Sequence, residues 1–349
     1  MRILHIEDEA WDSGIAHYAL TLAAALKSRG HDVHFWGREG SVPCVKAREL
    51  GLAVAEVTRP WLRLPHLRSQ VKALGFEVIN SHTGSSHSLA AASAAGLGVP
   101  VVRTRGDARP PATNTLARAL AKRTAVFIAA NSVIKSQIER TYPRARVELV
   151  FQGLPSPRPV PLPDELSAGI VGRLDAVKGH EDLIEAASIV VRQFPSARFY
   201  AAGAGTAERD VRLRDMTSQR GLDGAFEFLG FVPAVEDFIA RCRVGVVASR
   251  DSEAVSRAGL EWMSHGRPLV ATRVGCLPDI VEDGVTGRLV PPGEPESLAR
   301  AVASLLKEPG RAAAMGRKAR ERFQARFCLD RFAGDTESIY LDLLHRLPS

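Results

Sequence analysis

Apolar residues along the chain fall into short β-like runs separated by stretches of helical spacing. In the first part the runs lie at 2–6, 32–36, 54–57, 78–80, 101–104, 126–130 and 147–151. The clearest helical pattern between them covers 14–29. Ala16, Leu20, Leu22, Ala23 and Leu26 share one face there, and Gly30 stops it. Residues 153–165, GLPSPRPVPLPDE, then carry five prolines, a density that allows neither helix nor sheet to continue. Alternation resumes with runs at 167–171, 197–201, 226–229, 244–248, 268–271 and 288–290, and the end is helical over about 294–307, 310–326 and 329–346.

Strands alternating with helices predict βαβ units and parallel sheets. The expectation is an α/β chain of two Rossmann-like domains, 1–153 and 166–328, joined by a proline-rich hinge at 154–165 and followed by a helical tail. Ligands of such sheets bind at the carboxyl ends of the strands, and two such domains facing each other make a cleft.

Composition narrows this picture. With 349 residues, 45% hydrophobic and 24% charged, the chain is of globular type and long enough for two cores. Its most apolar stretch, 89–102, is broken by Ser93, Gly96, Gly98 and Pro100, too soon to span a bilayer. Glu7, Asp8 and Glu9 follow the first apolar residues so closely that no secretory leader is read, and the expected address is the cytoplasm. Cys44, Cys242, Cys276 and Cys328 form no CxxC pair, which predicts neither structural zinc nor a disulfide framework. The net charge of +7 is uneven: residues 1–150 hold 20 Lys+Arg against 12 Asp+Glu. A basic first half suits phosphates or an anionic membrane surface. No zinc-finger spacing, RNP pattern or basic heptad accompanies it, so nucleic acid is not expected as a partner.

Four motifs carry candidate chemistry. The turn Gly172-Arg173-Leu174-Asp175-Ala176-Val177-Lys178-Gly179 leaves a strand and opens a helix. Two cations beside a helix N-terminus suit a diphosphate; a surface turn with solvated cations is the plain alternative. In the segment 252–261, which begins at Ser252, Glu253 and Glu261 stand eight apart around a helix start near 254–257. Free N–H groups there, at Val255 and Ser256, can hold oxygens, and carboxylates accept hydrogen bonds from vicinal hydroxyls. Gly203-Ala204-Gly205 follows a strand and permits a tight turn and close approach to a ligand, with an ordinary β-to-α turn as the plain alternative. Asp12-Ser13-Gly14 opens the long first helix, with Asp12 or Ser13 as its cap and Gly14 placed for a sugar phosphate. A single glycine is far weaker than GxGxxG, which counts against a nicotinamide oxidoreductase.

In this order and on these elements, the motifs resemble the retaining glycosyltransferases of family 4, which have the GT-B fold. The likeness covers nearly the whole chain and is most specific over 171–293. It rests on the E-x7-E pair Glu253/Glu261, the full G-R-L-x-x-x-K-G turn and the runs 266–272, 275–284 and 287–293. The resemblance implies a nucleotide-diphosphate sugar bound mainly by the second domain. Arg173 and Lys178 would hold the diphosphate, Glu261 the ribose and Glu253 the transferred sugar, with Gly14, Gly172, Gly203, Val255 and Ser256 lining the site. It implies transfer without a metal or other cofactor, and a C-terminal helix, about 329–349, returning to the first domain.

On the acceptor side the chain departs from the family. Where many relatives carry a His after the fifth strand, Arg105 stands, followed by Asp107 and Arg109. Arg103, Arg105 and Arg109 suit an acidic acceptor, and Asp107 an acceptor hydroxyl. His82 follows the fourth strand as a cleft-facing acid/base candidate or as a structural histidine. The mixed apolar and basic segment 59–72 suits an anionic membrane, or simply a loop entering a surface helix. The expected function is glycosyl transfer to a saccharide or lipid-linked acceptor, as in lipopolysaccharide-type synthesis, with the enzyme cytoplasmic or peripheral at the inner face of the membrane. The alternative is a non-catalytic nucleotide-sugar-binding module.

Overall fold

The computed structural model describes residues 1–251 and 253–346; Ser252 and residues 347–349 of the expected tail lie outside the described residues. The chain forms two compact units, one made of Met1–Gly153 with the segment from Leu329, the other of Leu154–Cys328.

The first unit is built on β1 (Arg2–Glu7), β2 (Asp32–Arg38), β3 (Ala53–Val57), β4 (Val78–Ser81), β5 (Val101–Arg105), β6 (Val126–Ala129) and β7 (Val147–Leu149). They form one parallel sheet in the order β3-β2-β1-β4-β5-β6-β7. Arg2 stands opposite Asp32, and Ile3 opposite both Val33 and Val78. Five consecutive residues of β1, Ile3 to Glu7, are buried, as a strand covered on both faces requires. The helix Gly14–Ser28 contributes Ala16, Leu20, Leu22, Ala23 and Leu26 to that cover, as its spacing predicts. Ser13, not Asp12, caps it: Ala16 N–H donates to the Ser13 hydroxyl at 3.0 Å. Asp12 instead pairs with Lys46 at 2.5 Å.

The C-terminal helix Leu329–His345 belongs to this unit. Buried Phe332 meets Tyr18 edge-on at 4.7 Å. Asn80 Nδ2 of β4 donates to the Tyr340 hydroxyl at 2.7 Å. Arg29–Glu337 and Arg146–Asp342, at 2.7 and 2.6 Å, lie at the edges. Burying the aromatic rings contributes about 2 kcal/mol each, more than such partly exposed ion pairs.

The second unit contains β8 (Ser167–Val171), β9 (Arg198–Ala202), β10 (Phe226–Gly230), β11 (Val244–Val247), β12 (Leu269–Thr272) and β13 (Gly287–Val290). Their parallel order is β10-β9-β8-β11-β12-β13. The strand order therefore reverses beside β8, between it and β11, just as it does between β1 and β4. The carboxyl ends at these reversals are where crevices open in doubly wound sheets.

The proline-rich segment is fastened to the second unit. Arg267, fully buried, donates to the carbonyls of Val160 and Pro161 at 2.7 and 2.9 Å. Arg243 donates to Pro163 O, and Arg320 to Pro157 O at 2.7 Å. Proline lacks an N–H but keeps its acceptor, so arginines satisfy a strand that no sheet can. Cys44, Cys242 and Cys276 are buried, Cys328 is half-buried, and all four are free thiols. Among the described residues no helix is long and apolar enough to cross a membrane.

Candidate active site

At the β8–β11 reversal two loops meet. The chain leaves β8 at Gly172, makes a tight turn at Ala176–Lys178 and enters the helix His180–Gln193. The second loop leaves β11 and runs to the helix Arg257–Ser264. Arg250 N–H donates to Val177 O at 2.8 Å, and the Arg250 guanidinium grips Asp182 through two bonds of 2.8 and 2.5 Å. Gly179 allows this approach. Its φ of +70° is left-handed, and a Cβ there would lie 1.9 Å from Ala248 O. Gly203, after β9, backs the first turn as closely: a Cβ would lie 1.8 Å from Gly172 O.

The loops bring Lys178 and Glu253 together. Lys178 Nζ donates to Glu253 Oε1 at 2.5 Å, and the Ser249 hydroxyl donates to the same oxygen, also at 2.5 Å. Cys276 N–H holds the Glu253 carbonyl at 2.7 Å. Glu253 is thus buried but paired, which a buried carboxylate needs. An ammonium has three protons, so Lys178 keeps two for an anion beside Glu253. Arg173 is largely exposed, its side chain 78% accessible, and rests on Asp175 at 2.8 Å.

One turn into the next helix, Glu261 accepts from Arg257 Nε at 2.7 Å. Burial pushes its carboxyl above the ordinary range, and Arg257 opposes that shift. Ser256 caps the helix by accepting from Gly259 N–H at 3.4 Å. Ser256 is itself buried, and the Cys276 turn packs beneath this loop. Val255 is half-buried at the same bend. Neither Ser249 nor the Asp182–Arg250 clasp was read from the sequence. A serine four residues before Glu253 at the end of an apolar run was the available signal for the first.

In the first unit the expected residues separate. Gly14 begins its helix with open space where a side chain would project. His82 does not face a cleft. It is fully buried, stacked on His5 with centroids 5.2 Å apart and ring nitrogens 3.0 Å apart. Burial and the neighbouring imidazole hold its pKa well below the usual value, so it stays neutral and structural. Arg103 is also withdrawn, donating to Ser81 O at 3.2 Å and Thr104 O at 2.6 Å, its pKa lowered to about 9 by burial. Arg105 and Asp107 bond each other at 3.1 Å, and Arg105 also closes on Arg109 O at 2.5 Å. These two shape their own loop. Arg109, with a side chain 89% exposed, touches this loop only through a long ion pair to Asp107 at 3.9 Å. Among the described residues no cluster of His, Cys, Asp and Glu could hold a metal ion.

Two units, each a parallel sheet that reverses its strand order beside a central strand, match the expected GT-B fold. Comparison with solved structures agrees on the fold. Anabaena Alr3699/HepE, crystallised in complex with UDP, superposes with a TM-score of 0.87 at 18% identity, over 98% of this chain and 100% of that one. Residues 13–156 match the model of "Glycosyltransferase Family 4" and residues 165–308 that of "Glycosyl transferases group 1". The chain belongs to this glycosyltransferase family. It is 33% identical to alpha-D-kanosaminyltransferase of Streptomyces kanamyceticus, over 50% of this chain and 45% of that protein. It is 29% identical to the lipopolysaccharide core biosynthesis mannosyltransferase LpcC of Rhizobium leguminosarum bv. viciae, over 52% and 53%. The chain spans about half the length of the curated relatives it matches.

Proposed function

We propose that the chain transfers a sugar, with retention and without a metal ion, from a nucleoside-diphosphate sugar to a saccharide or lipid-linked acceptor. The setting proposed is a cell-surface glycan of lipopolysaccharide type, built at the inner face of the membrane. The observation that carries the reading is the Lys178–Glu253 pair at 2.5 Å, set between glycine-dependent turns at the β8–β11 reversal. In the reaction the bond from the sugar's anomeric carbon to phosphate oxygen breaks and a bond to the acceptor oxygen forms. Charge then grows on the leaving diphosphate, and fixed cations at that point lower the barrier. Arg173 and Lys178 are assigned that task. Glu253 is assigned the hydroxyls of the transferred sugar and Glu261 those of the ribose. Gly172 and Val255 are assigned to the lining of that donor site, and Gly203 to holding the first turn in place. The named activity of LpcC supports the glycan class, and the UDP in the HepE complex supports a nucleotide donor.

The test is proton NMR of the reaction with UDP-, GDP- and ADP-sugars and a saccharide extract, with and without EDTA. Retention predicts a product with the donor's anomeric configuration and a rate unchanged by EDTA. An inverted product overturns retention, and loss of rate in EDTA overturns metal independence. Donor binding with no turnover favours the non-catalytic module.

A further inference from the structure

The first unit holds a pocket away from His82, Arg105 and Asp107. It opens at the carboxyl ends of β1, β2 and β3, beside the start of the helix Gly84–Ala94, and encloses about 460 Å³. That is within the range of small-ligand sites, roughly 300–1,000 Å³. Asp8, Trp36, Arg38, Glu39, Arg59 and Trp61 line it. Trp36 is buried and forms part of the wall, whereas Trp61 is 57% exposed. Thr83 donates to Asp8 through its hydroxyl. The side chains of Arg38, Glu39 and Arg59 have no hydrogen-bond or ion-pair partner among the described residues. Nearby exposed charges are satisfied, as in Arg48–Glu56 at 2.6 Å and Lys46–Asp12 at 2.5 Å.

The loop carrying Trp61 is strained. Arg59 has φ of +44°, the one positive value among non-glycine residues described. Proline follows it, and the residue before proline strongly prefers extended backbone. Such a conformation costs about 1–3 kcal/mol and persists where the surroundings impose it, often at ligand sites. Here it sets Arg59 and Trp61 on one pocket.

We infer that this pocket binds a pyranose ring of the acceptor, stacked on Trp61, with its hydroxyls shared among Asp8, Glu39, Arg38 and Arg59. Carboxylates accept from hydroxyls and guanidiniums donate to them, so a mixed, uncharged-on-balance set suits a neutral polyol better than a phosphate. An exposed indole offers a large apolar face with little conformational entropy to lose. The inference rests on the glycosyl-transfer reading and names the class of its acceptor. It also moves acceptor recognition from Arg105 and Asp107 at β5 to the ends of β1–β3.

The experiment is saturation-transfer NMR on the purified chain with methyl glucoside, galactoside and mannoside as probes. The inference expects transfer to at least one glycoside. Trp61→Ala and the double change Arg38→Gln/Arg59→Gln should each weaken it tenfold or more. Lys178→Ala should leave it intact, which separates this pocket from any sugar site in the second unit. Lys72→Gln, outside the pocket, controls for surface charge, and circular dichroism checks each fold. Transfer to none of the glycosides, or equal transfer in the Trp61 and arginine variants, overturns the inference. Nucleotide binding is read separately by calorimetry. Glycoside binding without nucleotide binding would sink the donor assignment and keep the pocket; the reverse would sink the pocket alone.

Discussion

Both units reverse their strand order beside a central strand, yet they use charge at that point in opposite ways. At β8–β11, Lys178, Glu253, Arg250 and Asp182 pair across two loops while the ammonium keeps donors to spare. At β1–β4 the polar groups turn inward: His5, Asn80 and His82 are fully buried, and Asn80 fastens the C-terminal helix. The same topology therefore carries paired charges across two loops in one unit and a polar core in the other. What separates them is backbone approach. Gly179 and Gly203 let the second unit's turns touch, whereas Gly14 meets nothing.

The strongest way to break this contrast is to remove a cation. Arg173→Ala or Lys178→Ala should lower kcat/KM by roughly 100- to 1,000-fold, about 3–4 kcal/mol, as lost electrostatic donors do. Steady-state kinetics on folded variants checks this; near-normal rates would show that the paired charges are structural in both units.

Acid should sharpen the contrast next. Burial lowers the pKa of His5 and His87 to about 3 in the first unit, and of His180 to about 4 in the second. A histidine held neutral stabilises the fold fully above its unfolded pKa near 6.5, and that contribution drains as pH falls toward the folded value. At pH 5 each has lost roughly 2 kcal/mol, at about 1.4 kcal/mol per pH unit. Glu7 has the opposite sign. Burial raises it to about 8, so its contribution is whole below about 4.5 and fades as pH rises to about 8. Between pH 7 and pH 5 Glu7 therefore regains roughly 2–3 kcal/mol, offsetting little more than one histidine. Because burial also holds His82 low beside His5 and His87, against His180 in the second unit, hydrogen exchange at pH 7 and pH 5 should still show the first unit losing more protection. Equal loss in both units would contradict the burial of its histidine pair.

The glycines give a smaller, two-sided comparison. Gly179→Ala should destabilise the second unit by about 1–3 kcal/mol through its left-handed backbone and the Ala248 carbonyl. Gly14→Ala, at an open helical position, should be neutral or stabilise by about 0.4–1 kcal/mol. Denaturant unfolding measures both, and matching effects would remove the distinction. Smallest of all, Arg109→Ala should change stability by less than about 0.5 kcal/mol, its side chain being 89% exposed. A thermal melt shifted by several degrees would show that it holds the loop.

The strands and the second-unit motifs were legible because they are local. Apolar runs mark β1 to β13 within one or two residues, and the 172–179 turn is one continuous segment. Long-range pairing was not legible. Nothing in the spacing of His5 and His82, 77 residues apart, announces that they stack. Arg103 and Arg105 read as ligand-facing because alternation cannot tell a buried arginine bonded to carbonyls from a free one. The pocket at β1–β3 escaped for a related reason, since its residues come from four separate segments and acquire meaning only when the sheet aligns them.

The most direct measurement is calorimetric titration of the chain with UDP, GDP and ADP, repeated on Arg173→Ala and Lys178→Ala. The account predicts that at least one nucleotide binds the wild type and binds each variant at least tenfold more weakly. Equal affinity in the variants, or no binding by any of the three, would contradict a diphosphate site between β8 and β11.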